Sequence, residues 1–225
     1  MSTIHCRVGR PFQAAPPIRS PLARLAAERF GLAASTTAAE PAEAQPMRLP
    51  AAGAVHLLVG PSGGGKSTRL RRLVGRARAE DWRVVDIAAI RLKRRPCVDL
   101  FGTRGEPERR LQFAAAILSR VGLGEAHVFL RLPSELSDGQ RWRLRMALAH
   151  ARVMAGGRRR PTLLVADEFC ALLDRVTACV VARGLRRQMD RLARVKVPVR
   201  AVVATSHDDL EPALLPDAVE RIEAF

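Results

Sequence analysis

The segment Gly60-Pro61-Ser62-Gly63-Gly64-Gly65-Lys66-Ser67 constrains this chain more than any other stretch. It has glycine, four free positions, then glycine, lysine and serine, and it follows the apolar run VHLLV at residues 55–59. A buried strand, a glycine-framed loop and a helix starting at Lys66 together make a cradle for a polyphosphate. The glycines let the backbone wrap closely, and successive N–H groups at the helix N-terminus face the negative charge. Lys66 can reach the β- and γ-phosphates, and the Ser67 hydroxyl can ligate Mg²⁺. Thr68 is placed to add a contact near the α-phosphate. A merely flexible glycine turn has no reason to carry Lys-Ser in this register after a buried strand.

Periodicity predicts the rest of an α/β architecture, a mostly parallel sheet flanked by helices. Strands are expected at residues 3–8, 55–59, 83–87, 162–166 and 199–204, and helices at 21–32, 66–79, 108–120, 139–155 and 175–194. In the helix at 139–155, Trp142, Met146, Ala149 and Val153 recur at helical spacing and predict one buried stripe. Residues 1–50 divide off as a strand, a helix and an Ala/Pro-rich linker. Residues 51–225 form the main domain, with a small helical subdomain at about 92–155.

The strand TLLVA at 162–166 ends in Asp167 and Glu168. Parallel strands present their C-terminal ends to the ligand crevice. Asp167 is therefore expected to hold Mg²⁺ through its water shell, and Glu168 to orient or deprotonate an attacking water. An apolar strand ending in two acids is common; downstream of a phosphate loop it becomes the partner that the chemistry requires.

Composition bounds the alternatives. The formal charge is +16, carried almost wholly by arginine, since only Lys66, Lys93 and Lys196 are lysines. Such a chain attracts polyanions, and this keeps a nucleic-acid-handling role open, with Arg91 to Arg95 and Arg158 to Arg160 as candidate contacts. Tyrosine is absent and aromatics make up 4%, a poor supply for base stacking. Cys6, Cys97, Cys170 and Cys179 show no metal or disulfide spacing and read as buried free thiols. No apolar run approaches the roughly 20 residues that span a bilayer. The N-terminal residues lack the apolar core of a secretory signal, so the expected compartment is the cytoplasm.

Between the loop and the paired acids lies Leu136-Ser137-Asp138-Gly139-Gln140, at the head of the amphipathic helix. It resembles the LSGGQ signature of ATP-binding cassette ATPases, members of the P-loop NTPase superfamily, with Asp138 in place of the first glycine. Ser137 with Gln140 also reads as an ordinary capped helix start, and the two roles are compatible. The order that follows is similar to the same family over residues 54–210: Ala171-Leu172-Leu173-Asp174 resembles the segment that lines the dimer interface, and Thr205-Ser206-His207 the switch histidine after the last core strand.

The resemblance implies ATP and Mg²⁺ as cofactors and ATP hydrolysis as the activity. It also implies a head-to-tail dimer, with itself or a related cassette, in which Ser137, Gly139 and Gln140 of one subunit meet the ATP held by residues Gly60 to Thr68 of the other. Glu168 and His207 would act on the attacking water and the γ-phosphate, Ser67 and Asp167 on the metal, and Asp174 at the interface.

Three features depart from the family pattern. Residues 97–105 (CVDLFGTRG) hold no glutamine where a coupling loop is expected, Phe169 replaces the usual proline after Asp-Glu, and Phe30 is the one candidate for stacking on adenine. These features favour a soluble cassette ATPase that regulates an unidentified effector. The ATP-binding subunit of a membrane transporter, partnered by a permease, is the alternative. The stretches LSDGQRWRLRMALAHA and DEFCALLDRVTA are similar to a branch paired or fused with acetyltransferase-like domains.

Overall fold

A computed structural model describes residues 2–6, 20–29, 49–102, 105–157 and 160–222. Phe30, Arg158 and Arg159, and nearly all of the expected linker, lie outside the described residues.

The elements follow in the order β1 (Ser2–Cys6), α1 (Pro21–Arg29), β2 (Val55–Val59), α2 (Lys66–Ala79), β3 (Arg83–Asp86), α3 (Pro107–Arg120), α4 (Ala126–Leu130), α5 (Asp138–Gly156), β4 (Thr162–Ala166), α6 (Arg175–Arg194), β5 (Val199–Thr205), α7 (Glu211–Leu214) and β6 (Ala218–Ile222). The six strands form one sheet in the order β1-β6-β2-β5-β4-β3, and every neighbouring pair is parallel.

Strands β2, β4 and β5 are almost continuously apolar because both of their faces are covered. Their side chains still alternate between two cores. Leu57, Leu164, Val199, Ala201 and Val203 join the large core beneath α3, α5 and α6. Leu58, Leu163, Val165, Val202 and Ala204 face Leu70, Leu73 and Ala77 of α2.

The expected elements are present, with small shifts in their bounds. Ile87 falls outside β3, although it is buried and its N–H donates to the Val165 carbonyl (3.0 Å). The single buried stripe on α5 is a correction: Trp142, Met146, Ala149 and Val153 are buried, but so are Leu144, Ala147, Leu148 and His150. This helix is enclosed on more than one side, because it packs on the sheet and on α3 together. Among the thiols, Cys97 and Cys170 are buried and Cys179 is half-buried. Strand β6 was not expected from the sequence, because Glu220 and Arg221 interrupt its apolar pattern.

His150 is 2% exposed and neither ring nitrogen has a hydrogen-bond partner. Burial, reinforced by the Arg120 guanidinium, pushes its pKa down to about 4 from 6.5. The unfolded chain therefore takes up a proton between pH 6.5 and 4 that the native chain refuses, and stability falls as pH falls through that window. A shift of this size corresponds to about 3 kcal/mol at the acid end and none above pH 6.5. Urea midpoints at stepped pH should show this slope in the wild type. His150→Leu should show a shallower slope, the remainder coming in part from His56, whose pKa burial also lowers.

Candidate nucleotide site

Parallel pairing puts the C-terminal ends of β2, β5 and β4 side by side at one end of the sheet. The three loops that leave these ends carry the phosphate-loop glycines, Ser206-His207 and Asp167-Glu168. Residues far apart in sequence thus converge where an open α/β sheet binds ligands.

The loop after β2 has the backbone its glycines allow. Gly65, which precedes α2, has φ +98°, in the left-handed region that side chains rarely adopt. Gly60 is held by close packing: a Cβ there would lie 2.2 Å from the Ile222 carbonyl oxygen of β6. The first helical hydrogen bond of α2 runs from Arg69 N to Gly65 O (2.9 Å). The amides of Lys66, Ser67 and Thr68 precede it and face outward without helical acceptors, as at any helix start. Lys66 Nζ donates to the carbonyls of Gly60 and Pro61, at 2.7 Å each. Burial lowers the pKa of this ammonium, and the nearby charges of Asp167 and Glu168 pull it back up.

A cavity of about 350 Å³ opens here, lined by Lys66, Ser67, Thr68, Asp167, Glu168 and Ser206, together with Ser62, Gly63, Gly65 and Ala171. Asp167 is half-buried and its Oδ1 accepts from the Glu168 amide (3.1 Å). Glu168 is exposed and has φ +50°, and Cys170 has φ +61°. Strained backbone of this kind persists only when its surroundings hold it. Two anchors do so. Phe169 N donates to Ala204 O of β5 (2.7 Å). The fully buried Phe169 ring meets Trp142 of α5 edge-on, with centroids 5.6 Å apart and planes at 69°. The phenylalanine in place of the usual proline thus ties the acid-bearing loop to the helix that follows the signature.

The other expected site residues stand outside this cavity. Ser137 and Gln140 form a reciprocal cap: Ser137 Oγ accepts from Gln140 N (3.2 Å), and Gln140 Oε1 accepts from Ser137 N (3.0 Å). Asp138 pairs with Arg141 (2.5 Å), which screens the charge that replaces the family glycine. Gly139 is pressed against the segment before α6; a Cβ would sit 3.0 Å from Leu172 O. Asp174 caps α6 by accepting from Thr177 N (2.9 Å), and bonds from Thr177 hold its carboxyl below the usual range. His207 is half-buried next to Ser206, and its amide donates to Thr205 Oγ1 (3.2 Å). Arg175, beside Asp174, is ion-paired with Asp209, two residues beyond His207, so the two loops are linked. Ser206 and Ala171 also line the cavity; both lie within the motif segments read from the sequence, Thr205-Ser206-His207 and Ala171 to Asp174, where neither was assigned a role at the site.

The residues present fit a nucleoside triphosphate with a divalent cation. The cradle offers free amides and one lysine to the phosphates, and Ser67 and Asp167 share the cavity as oxygen ligands. No group of three His, Cys, Asp or Glu side chains that could hold a metal occurs among the described residues. Mg²⁺ commonly completes its shell with phosphate oxygens and water.

No protein-family model matches the sequence. The chain is 33% identical over 167 residues to the sulfate/thiosulfate import ATP-binding protein CysA of Burkholderia mallei and of Burkholderia pseudomallei. The match covers 63% of this chain and 46% of each relative, so the chain spans less than half the length of the curated relatives it matches. Among solved structures it is similar to the dimeric structure of MJ0796, a bacterial ABC transporter cassette, with TM-score 0.57 and 18% identity over 79% of this chain and 84% of that one. It is also similar to cbiO1 from Clostridium perfringens, part of the ABC transporter complex cbiONQ, with TM-score 0.53 and 20% identity over 78% and 75%. The solved structures share the fold, the curated relatives share sequence over part of their length, and one cavity joins the phosphate loop to the paired acids: the chain has the fold of an ATP-binding cassette and is similar in sequence to ATP-binding cassette ATPases of the P-loop NTPase superfamily.

Proposed function

We propose that this chain binds ATP with Mg²⁺ at the loop from Gly60 to Thr68 and hydrolyses it in a site completed by a second cassette. The observation that carries the reading is the single cavity shared by Lys66, Ser67, Asp167 and Glu168. Ser67 and Asp167 would hold the metal, which when bound supplies charge neutralisation on the phosphate oxygens. The loop amides and Lys66 fix the polyphosphate. Glu168, exposed at the cavity wall, would orient the attacking water and accept its proton. The signature residues Ser137, Gly139 and Gln140 lie outside their own chain's cavity, which supports a head-to-tail pair in which each subunit finishes the other's site. His207 would then contact the γ-phosphate and Asp174 would lie at the shared interface.

Among the described residues, Lys66 is the one cation lining the cavity. Lys66→Ala should weaken ATP binding about 100-fold or more, because it leaves a polyanion facing Asp167 and Glu168 alone. Titration calorimetry with Mg-ATP measures this, and wild-type affinity in that variant would refute the site.

The partner on which such a pair acts divides two readings. The curated relatives are named import ATP-binding proteins and one structural neighbour belongs to a transporter complex, which supports a membrane permease as the partner. The stretch 97–105 without a glutamine supports a soluble effector. No helix among the described residues is long and apolar enough to cross a membrane, so either reading places the partner on another chain or another segment. Tagged protein recovered from detergent-solubilised cells distinguishes them by whether a polytopic membrane protein co-purifies.

A further inference from the structure

Two loops of the nucleotide cavity leave neighbouring strands. One follows β4 and carries Asp167 and Glu168; the other follows β5 and carries Ser206 and His207. Glu168 and Ser206 line the same cavity. The loops are joined at two levels. At their root, next to the sheet, Phe169 N donates to Ala204 O (2.7 Å). At their far ends Arg175, the first residue of α6, is ion-paired with Asp209, in the short turn Asp208–Leu210 that follows His207. The Arg175 charge also reaches Cys170, two residues past Glu168: burial, with the Cys179 thiol, raises the pKa of Cys170, and the guanidinium pulls it partly back. One cation thus stands beside both loops.

Arg175 is poorly placed for its own helix. A helix N-terminus carries partial positive charge and favours acids in its first turn, yet α6 has no acid there and begins with a cation. The Asp209 carboxylate offsets that cost. Both side chains are exposed, at 44% and 55%, and an ion pair in water adds little to stability. The two effects are of similar size and opposite sign, so the pair leaves the stability of the fold nearly unchanged. What it fixes is geometry. On the strand side, the His207 amide is held by Thr205 Oγ1 (3.2 Å). Beyond the histidine, Leu210 is buried in the core and Asp209 is held by Arg175. Loss of the ion pair frees the tips of the two loops relative to each other while their roots stay anchored. A displacement of about 1 Å remote from the chemistry can cost about 100-fold in rate.

We propose that Arg175 and Asp209 are positioning residues for ATP hydrolysis: their ion pair holds the His207 loop in register with the Glu168 loop, so that both side chains address one γ-phosphate. The proposal rests on the nucleotide reading of the cavity and adds to it a pair that lies outside the motifs. Among the described residues, neither of these two lines the cavity, and each acts through the loop that it ends.

Two measurements test it. In nucleotide-free protein with carbon-labelled histidine, the His207 Cε1–Hε1 resonance, assigned from His207→Gln, should shift or broaden in Arg175→Gln and in Asp209→Asn. It should return to its wild-type position in the charge swap Arg175→Asp/Asp209→Arg. In phosphate-release assays each single variant should lower kcat for Mg-ATP about tenfold, with KM within about twofold of wild type. The swap should recover kcat to within about threefold of wild type, because the coupling belongs to the pair. Tm should move by less than about 3 °C in all three variants, as for other surface substitutions. Glu80→Gln breaks the comparably exposed pair Arg76–Glu80 of α2 (2.9 Å) and should change neither the resonance nor kcat. An unmoved resonance with wild-type kcat in the single variants would overturn the proposal, and so would a swap no better than the singles. A wild-type protein that binds no Mg-ATP would instead refute the nucleotide reading, and the resonance would still report whether the ion pair holds His207.

Discussion

Glu168→Gln is expected to lower ATP turnover about 100-fold or more while ATP affinity stays within a few-fold of wild type. The substitution keeps the size and the hydrogen-bonding reach of the side chain but removes its ability to take a proton. Glu168 is exposed to the cavity and rigidly placed, since its own φ of +50° is held between the Asp167 carboxylate and the anchored Phe169. Little reorganisation is therefore available to compensate. With hydrolysis blocked, ATP bound between two cassettes remains, and the variant should run as a dimer with Mg-ATP and as a monomer without nucleotide. Sedimentation velocity with ATP or ADP, beside a phosphate-release assay, reads both effects. Turnover near the wild-type rate would remove Glu168 from the chemistry, and a variant that stays monomeric with ATP would remove the sandwich.

The second large effect concerns stability. Arg69 and Glu220 form a buried ion pair, Nε to Oε1 at 2.8 Å, with side chains 6% and 3% exposed. Burial pushes the Glu220 carboxyl above its usual range, and Arg69 pulls it partly back. Such pairs cost much of what they contribute, but removing one partner strands the other charge in the interior. Arg69→Met, which leaves the buried Glu220 carboxylate without this guanidinium, should therefore destabilise the fold by about 3 kcal/mol or more, lowering Tm by roughly 6–12 °C for a chain of this size. The double variant Arg69→Met/Glu220→Leu should recover most of that loss. Denaturant melts of the two single variants and the double form a complete cycle. Additive losses would mean that the pair is not coupled. Arg69 lies in the first turn of α2 and Glu220 on β6, so the pair also steadies the phosphate loop against the strand that Gly60 touches.

The core strands at residues 55–59 and 162–166 and the helices at 66–79 and 175–194 were legible residue for residue, because an uninterrupted apolar run or a 3.6-residue period marks them directly. Strand β6 was not legible: its Glu220 is buried only because Arg69, 151 positions away in sequence, arrives to pair with it. The helix α5 was read as one-sided, and its second buried face depends on α3 and the sheet closing over it. Phe169 registered in the sequence only as a departure from the family pattern. Its purpose became visible when Trp142 was found against its ring.

The sequence alone determined the phosphate loop, the acids at the end of a strand and the capped signature helix, since each is local chemistry written in consecutive residues. The tertiary structure alone decided that the strands bearing the loop and the acids flank β5, and that the signature residues stand outside the cavity of their own chain. Those outcomes depend on strand order and helix packing, set by burial summed over the whole core, and no short stretch of sequence records that sum.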